Sequence, residues 1–182
     1  MRRYVTEKNL LREVTDFRPG AWVNLVNPSL EECLLVAREF QVDIADIRAA
    51  LDDEESSRVD VSNDYTLILF DIPSIEYRHK REAYTTIPLG LIFAGDTLIS
   101  VCAEDTPVLK SFADNMVKEF STKKQIRFIY QIFLRTCVLY QSYLRIVDRR
   151  RKEIEEHIGG GEGGGVLIML HVVGVPRGFF YI

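Results

Sequence analysis

The chain has 182 residues, 47% of them hydrophobic and 27% charged, which is enough to bury the core of one domain or of one domain with an appendage. Its 23 Lys and Arg residues against 27 Asp and Glu give a formal net charge of -4, and this balance disfavours nucleic acid as a partner. The 3 cysteines have no Cys-x-x-Cys spacing, which is typical of free thiols in a reducing compartment. The charged N-terminus is not followed by the apolar core of a signal peptide.

A strand and two short capped helices are predicted first. A turn at Pro19 precedes the apolar run 21–26, which predicts a strand. Ser29 and Glu32 have the spacing of a capping box and predict the start of a helix. Asp43 predicts the start of a second short helix, because the helix dipole favours carboxylates in the first turn.

Four β-rich runs predict two hairpins, and therefore at least four strands in antiparallel pairs of one sheet. The runs are residues 58–62, 65–70, 84–93 and 96–102. Pro73 is predicted to end the strand of the first hairpin, because proline cannot donate to a sheet ladder. The charged segment 75–82 between the hairpins is predicted to be exposed.

Two helices are predicted after the hairpins. Thr106 or Asp105 can cap a helix of about four turns that continues to Phe120. A longer helix is predicted over residues 122–158, which contain no Gly or Pro. Its apolar residues alternate spacings of four and three, so it packs either on the core alone or also on another subunit. The heptad positions are Ile126, Tyr130, Phe133, Cys137, Tyr140, Leu144, Val147, Arg151, Ile154 and Ile158. A second apolar stripe comprises Phe128 or Ile129, followed by Ile132, Leu139, Tyr143 and Ile146.

The last part of the chain differs in composition from the rest. Residues 159–165 are almost all glycine and predict a flexible linker. Residues 166–182 are apolar, but this run is short and contains Pro176 and Arg177, so it falls below the requirements of a membrane-spanning helix. The pattern leaves three interpretations open: an apolar tail, a core strand, or a remnant of a longer segment.

The sequence contains none of the common catalytic motifs, such as G-x-S-x-G, the P-loop, H-E-x-x-H or G-x-G-x-x-G. The acidic run 52–55 can attract a hard cation, but its plainer interpretation is an exposed helix end paired with Arg58. We therefore predict that the protein is not an enzyme and has no catalytic residues. The alternative is an acid and base cluster of Asp52, Glu55 and Arg58 acting on a small molecule, and it lacks a nucleophile and an orienting group.

Taken in order along the chain, several of these features resemble the CorA family of magnesium transporters. They are Trp22, Asn24, Asn27 and Pro28, Glu31 and Glu32, then Leu51 and Asp52, Glu55, Arg58 and Val59, the triplet Asp71, Ile72 and Pro73, the strand 84–93 and the long helix. The resemblance covers about residues 1–158. The family's Gly-Met-Asn motif and a second apolar span are absent from this sequence.

The resemblance implies an α/β (α+β) fold, a three-layer α/β/α arrangement with a mixed, largely antiparallel sheet between helices, followed by a long C-terminal helix. The expected domains are residues 1–121, the α/β/α cytoplasmic domain, and residues 122–158, a long helix that packs on it and leads toward a stalk. Residues 159–165 are the glycine linker, and residues 166–182 are the apolar tail.

The function that the resemblance implies is that of the cytoplasmic regulatory domain of a transporter of Mg²⁺, or of Co²⁺, Ni²⁺ or Zn²⁺, which senses the cation and supports assembly of the channel. Five subunits surround one pore in the family, so a homopentamer is expected for the full-length protein. The membrane is reached only through helices that this chain lacks, and the expected location is the cytoplasmic face of the cell membrane. The alternative function is a stand-alone soluble oligomerisation or adaptor module that uses the heptad face of the long helix.

One metal ligand follows from the resemblance. Some family members bind Mg²⁺ between adjacent cytoplasmic domains, using a carboxylate after the strand that ends near Asp71 and another on the stalk helix. By position, Glu76 is the first of these, and the second has no counterpart in this chain. The plain interpretation of Glu76 is an exposed loop carboxylate.

Overall fold

Seven strands and four helices make up the part of the chain that the computed structural model describes, which is residues 1–8, 10–78 and 81–158. The strands are β1 (Arg2–Glu7), β2 (Leu10–Val14), β3 (Trp22–Val26), β4 (Arg58–Val61), β5 (Tyr65–Arg78), β6 (Arg81–Ala94) and β7 (Thr97–Cys102). The helices are α1 (Leu30–Phe40), α2 (Ile44–Ala49), α3 (Pro107–Ala113) and α4 (Gln125–Ile158). The predictions for residues 159–165 and 166–182 lie outside the described residues.

The strands form one mixed sheet in the order β2-β1-β3-β7-β6-β5-β4. Strands β3 and β7 run parallel, with Trp22 opposite Leu98. The β1–β2, β1–β3, β6–β7 and β4–β5 pairs are antiparallel. The two predicted hairpins are therefore confirmed as β4–β5 and β6–β7, and so is the mixed, largely antiparallel sheet.

The chain divides into two compact units. The first unit is Met1–Ile72 with Ile87–Arg135, and the second is Pro73–Thr86 with Thr136–Ile182. The first unit holds the core of the sheet and helices α1, α2 and α3. The second unit holds the end of β5, the start of β6 and the later turns of α4. The domain boundary after residue 121 stays a prediction.

Alternate side chains of β3 enter two different cores of the first unit, as expected for a strand that is covered on both faces. Val23 and Leu25 pack in one cluster with residues of α1 and α2 such as Val36 and Ile47. The Trp22 ring on the other face lies 5.2 Å from the ring of Phe128. The sheet therefore lies between α1 and α2 on one side and α3 and α4 on the other, which gives the predicted three layers.

The two helix starts predicted from capping residues are confirmed. Ser29 Oγ accepts a hydrogen bond from the backbone N–H of Glu32 at 3.2 Å, and Glu32 Oε2 accepts one from the N–H of Ser29 at 3.0 Å. Asp43 Oδ1 accepts from the N–H of Ala45 at 2.8 Å. Each side chain satisfies a backbone donor that has no partner within the helix.

The predicted four-turn helix from Thr106 to Phe120 is wrong in its length. Thr106 does cap α3, but this helix ends at Ala113, and the chain then turns through left-handed backbone at Asn115 (φ 56) and Glu119 (φ 54). The turn brings the Phe120 ring to 4.5 Å from that of Phe128. Aromatic packing in the core thus outweighs the helical spacing of the sequence.

The predicted end of the strand at Pro73 is also wrong. In the charged segment 75–82, Glu76, Tyr77 and Glu82 are exposed as predicted, but they lie in strands rather than in a loop. Strand β5 continues through Pro73 to Arg78, and β6 begins at Arg81. Strand β4 pairs with β5 only as far as Leu69. Proline is tolerated in a strand where one edge has no ladder partner, because the missing N–H then removes no ladder bond.

Helix α4 is confirmed as the longest element, with one face in the core. Phe128, Ile129 and Ile132 of the second apolar stripe are buried. The heptad positions Ile126 and Tyr130 are instead 66% and 71% exposed. No helix among the described residues has the length and apolar content needed to cross a membrane.

Candidate functional site

The acidic stretch of the sequence is organised around one guanidinium in the first unit. Arg58 Nη1 lies 2.7 Å from Glu55 Oε1, and Arg58 Nε lies 2.6 Å from Asp60 Oδ2. A third carboxylate, Asp46, is 3.9 Å away and accepts a hydrogen bond from the Tyr65 hydroxyl. The hydrogen bond to Asp60 raises the pKa of Arg58, so the guanidinium stays charged. This network connects α2, β4 and β5 and fixes the turn between them.

The network leaves little room for the catalytic or metal-binding roles considered for this stretch. Glu55 and Arg58 are brought together, but Asp52 Oδ1 accepts from the backbone N–H of Glu54 at 3.0 Å and is not joined to Arg58. Across residues 1–8, 10–78 and 81–158, no group of three or more His, Cys, Asp or Glu side chains is placed to hold a metal ion. A guanidinium among carboxylates already supplies the positive charge that a cation would bring.

Glu76 lies in β5, in the second unit, rather than in the loop that the sequence predicts. Its side chain is exposed. Among the described residues, Glu76 belongs to no group of three or more side chains placed to hold a metal ion. Glu76 is therefore accessible to a partner, and the metal role stays a prediction.

The second unit contains a polar and aromatic contact between β6 and α4 that the sequence did not predict. Arg150 Nη2 lies 2.8 Å from Glu82 Oε2, and its guanidinium carbon lies 5.3 Å from the centre of the Tyr84 ring. The Tyr84 ring is 5.1 Å from that of Tyr143. Burial raises the pKa of Tyr84, although Arg150 acts in the opposite direction. These contacts attach the later part of α4 to the start of β6.

A buried hydrogen-bond chain crosses β3 and β7 in the first unit. Trp22 Nε1 donates to Ser100 Oγ at 2.8 Å, and Ser100 Oγ donates to Asn24 Oδ1 at 2.9 Å. The signal for it in the sequence is the presence of Asn24 and Ser100 inside apolar strands, because a buried indole N–H requires an acceptor. The parallel pairing of β3 and β7 places Asn24 directly opposite Ser100.

The buried thiol of Cys102 is held in its protonated form, which is not nucleophilic. Cys102 is fully buried, and its Sγ lies 3.6 Å from the carbonyl oxygen of Pro88. Burial raises the pKa of the Cys102 thiol to about 11, so the thiolate that acts as a nucleophile is scarce at neutral pH.

Comparisons with known proteins agree on one family. The model of the family described as CorA-like Mg2+ transporter protein matches residues 20–167. The cobalt/magnesium transport protein CorA of Methanocaldococcus jannaschii is 26% identical over 141 residues, which cover 74% of this chain and 41% of the relative. The chain therefore spans less than half the length of this curated relative.

Two solved structures share the fold. The soluble domain of CorA from Methanocaldococcus jannaschii superposes with a TM-score of 0.76 at 18% identity, over 93% of this chain and 68% of that one. The ZntB cytoplasmic domain from Vibrio parahaemolyticus gives 0.64 at 12% identity, over 85% of this chain and 64% of the other. At these identities the likeness concerns the fold alone.

Proposed function

Because the chain belongs to the CorA-like Mg²⁺ transporter family, we propose that it forms the cytoplasmic regulatory domain of a divalent-cation transport protein. The observation that carries this proposal is the family match over residues 20–167, which includes α4 and all strands from β3 onward. The matching family is described as a transporter family, which agrees with the expectation that the protein is not an enzyme. The proposed cargo is Mg²⁺ or a related divalent cation such as Co²⁺.

The proposed place of action is the inner face of the cell membrane, where the domain belongs to a protein with its own membrane helices. The support is the length of the curated relative, of which this chain matches only 41%. Antibodies raised against this chain are expected to detect the native protein in the membrane fraction of the source cells, resistant to extraction with alkaline carbonate. Detection only in the soluble fraction would contradict this proposal.

The regulatory step is proposed to be Mg²⁺ binding at Glu76 between adjacent subunits. Mg²⁺ keeps several waters and needs only one or two carboxylates, so an exposed Glu76 facing one carboxylate of a neighbouring subunit is a sufficient donor set. A bound ion neutralises the facing carboxylates and holds the subunits together. Loss of the ion restores their repulsion, which couples the cation concentration to the state of the channel.

Calorimetric titration with Mg²⁺ tests the role of Glu76. We expect Glu76→Ala to weaken or abolish the binding heat, since it removes the only ligand that the chain is proposed to supply. Glu13→Ala is the matched control, because Glu13 is also an exposed carboxylate on a strand. Identical isotherms for the wild type and Glu76→Ala would remove Glu76 from the proposal, while the family membership would stand.

A second candidate function is that of an oligomerisation or adaptor module. The observation that favours it is the exposure of large apolar side chains on α4, including Ile126, Tyr130 and Leu134. Such a surface can pack on a partner helix. Light scattering that shows a monomer at every concentration would count against self-association through α4.

A further inference from the structure

A cavity of about 460 Å³ opens beside β3, within the first unit. Strands β3 and β7 are parallel, so their carboxyl ends lie at the same edge of the sheet. The chain leaves β3 for α1 on one face and leaves β7 for α3 on the other. A crevice forms at such a switch point, and ligands of open α/β sheets bind there. Val26 at the end of β3 and Asp105 after β7 both line the cavity.

The hydrogen-bond chain of the core determines which atom of Asn24, a residue that lines this cavity, is left as a donor. An indole N–H can only donate, so Ser100 Oγ accepts from Trp22 and must use its own proton toward Asn24. The atom of Asn24 that receives this proton is therefore Oδ1, which leaves Nδ2 with two N–H donors. Asn24 is 6% exposed and lines the cavity. These two N–H groups can donate to an acceptor bound in the cavity.

Charges of both signs surround this amide. Arg2 of β1 and Lys110 of α3 supply two cations to the wall of the cavity, and Asp105 and Asp114 supply two carboxylates. Arg2 is hydrogen-bonded to Tyr4 and attracted by Asp105, and both interactions raise the pKa of Arg2. The four charges of the wall sum to zero. Met1, Val26 and Ala113 add an apolar part to the same wall.

We propose that this cavity binds a small zwitterion of the amino-acid class with an apolar side chain. The ligand carboxylate accepts from Asn24 Nδ2 and is attracted by Arg2 and Lys110. Its ammonium group faces Asp105 and Asp114, and its side chain lies against the apolar part of the wall. The cavity volume is within the ordinary range for small-molecule sites, about 300 to 1,000 Å³. This site is separate from Glu76 and does not depend on the proposed transport function.

Calorimetric titration of the whole chain, without divalent cations, tests the proposal. The probes are L-leucine and L-methionine, with isocaproate and isoamylamine as analogues of leucine that lack the amine or the carboxylate. We expect an amino acid to bind and each analogue to bind about tenfold more weakly or worse, the scale of one lost charge-assisted hydrogen bond. Equal binding of isocaproate and L-leucine would identify a simple anion site and overturn the zwitterion proposal. Absence of binding by both amino acids would also overturn it.

Variants assign the binding to this cavity. Lys110→Met is expected to weaken amino-acid binding about tenfold, whereas Lys118→Met, at an exposed lysine outside the cavity, should leave it unchanged. Asp114→Asn should weaken L-leucine but leave isocaproate unaffected, because only the amino acid carries the ammonium group. Equal effects of the Lys110 and Lys118 changes would overturn the assignment. Glu76→Ala should bind the amino acid as the wild type does, so the two proposed sites can fail independently.

Discussion

Single residues decide how polar atoms are accommodated inside this apolar sheet. Trp22 is fully buried, yet its indole N–H is satisfied because Ser100 lies on the neighbouring parallel strand. Ser100 in turn needs Asn24 as its acceptor. Each member of the chain therefore depends on the next, and the loss of the middle one leaves two buried groups without partners.

Replacing the middle residue, Ser100→Ala, is expected to lower the free energy of unfolding by about 1 to 3 kcal/mol, because Trp22 Nε1 and Asn24 Oδ1 both lose their partner. Ser111→Ala is the control, since this buried hydroxyl makes only one bond, to the carbonyl oxygen of Val108 at 2.7 Å. Ser111→Ala should lower the free energy of unfolding by about 0.5 to 1.5 kcal/mol. Urea unfolding of both variants measures the difference, and equal losses would show that the chain adds nothing beyond one hydrogen bond.

The three cysteines are expected to differ in reactivity. Cys137 is exposed, whereas Cys33 and Cys102 are buried. Burial raises the pKa of Cys33 as well as that of Cys102, so neither forms much thiolate at neutral pH. Titration of the native protein with a disulfide reagent should modify one thiol rapidly, and all 3 only after unfolding. Rapid labelling that persists in Cys137→Ser would contradict this order.

At the scale of elements, local signals and tertiary packing contribute differently to the fold. The capping residues Ser29 and Asp43 predict their helices correctly because a cap is a contact within a few residues. The end of α3 cannot be predicted in this way, since it depends on Phe120 reaching Phe128. Strands β1 and β2 are not predicted, because their charged and apolar residues follow one another without a clear alternation.

Close packing between β6 and α2 depends on the missing side chain of Gly90. A Cβ atom added there would lie 2.8 Å from the Cβ of Ala50, which follows α2. Gly90→Ala is therefore expected to lower the free energy of unfolding by about 1 to 3 kcal/mol through overpacking. The double variant Gly90→Ala with Ala50→Gly should recover part of this loss, because it removes the clashing atom. Strictly additive effects in urea unfolding would show that the two positions do not interact.

At the scale of the whole molecule, the sequence predicts the family and the layers better than the site. The order of short motifs is sufficient for the family, because it follows the order of elements that the sheet requires. Glu76 is assigned only by its position relative to Asp71, and its strand environment depends on β5 continuing through Pro73. The Glu82 and Arg150 contact joins residues far apart in sequence, so no local pattern indicates it.

The exposed apolar residues of α4 lead to a prediction about association. Tyr130 and Leu134 are 71% and 64% exposed, so a second copy or another helix could bury them. Sedimentation velocity is expected to show association of the wild-type chain that increases with concentration. The double variant Tyr130→Glu with Leu134→Glu should be monomeric, because burying two carboxylates opposes packing. Its free energy of unfolding should change little, since both side chains are exposed in the single chain.

The control for this experiment is Ser142→Glu, which adds one charge at an exposed polar position of the same helix. It should associate as the wild type does if the apolar side chains drive the interaction. If Ser142→Glu also becomes monomeric, charge repulsion along α4 explains the effect instead. A wild-type chain that stays monomeric throughout would mean that these side chains await a partner other than a second copy of the chain. Self-association and partner binding make opposite predictions for the pure protein, so this measurement separates the two roles of α4.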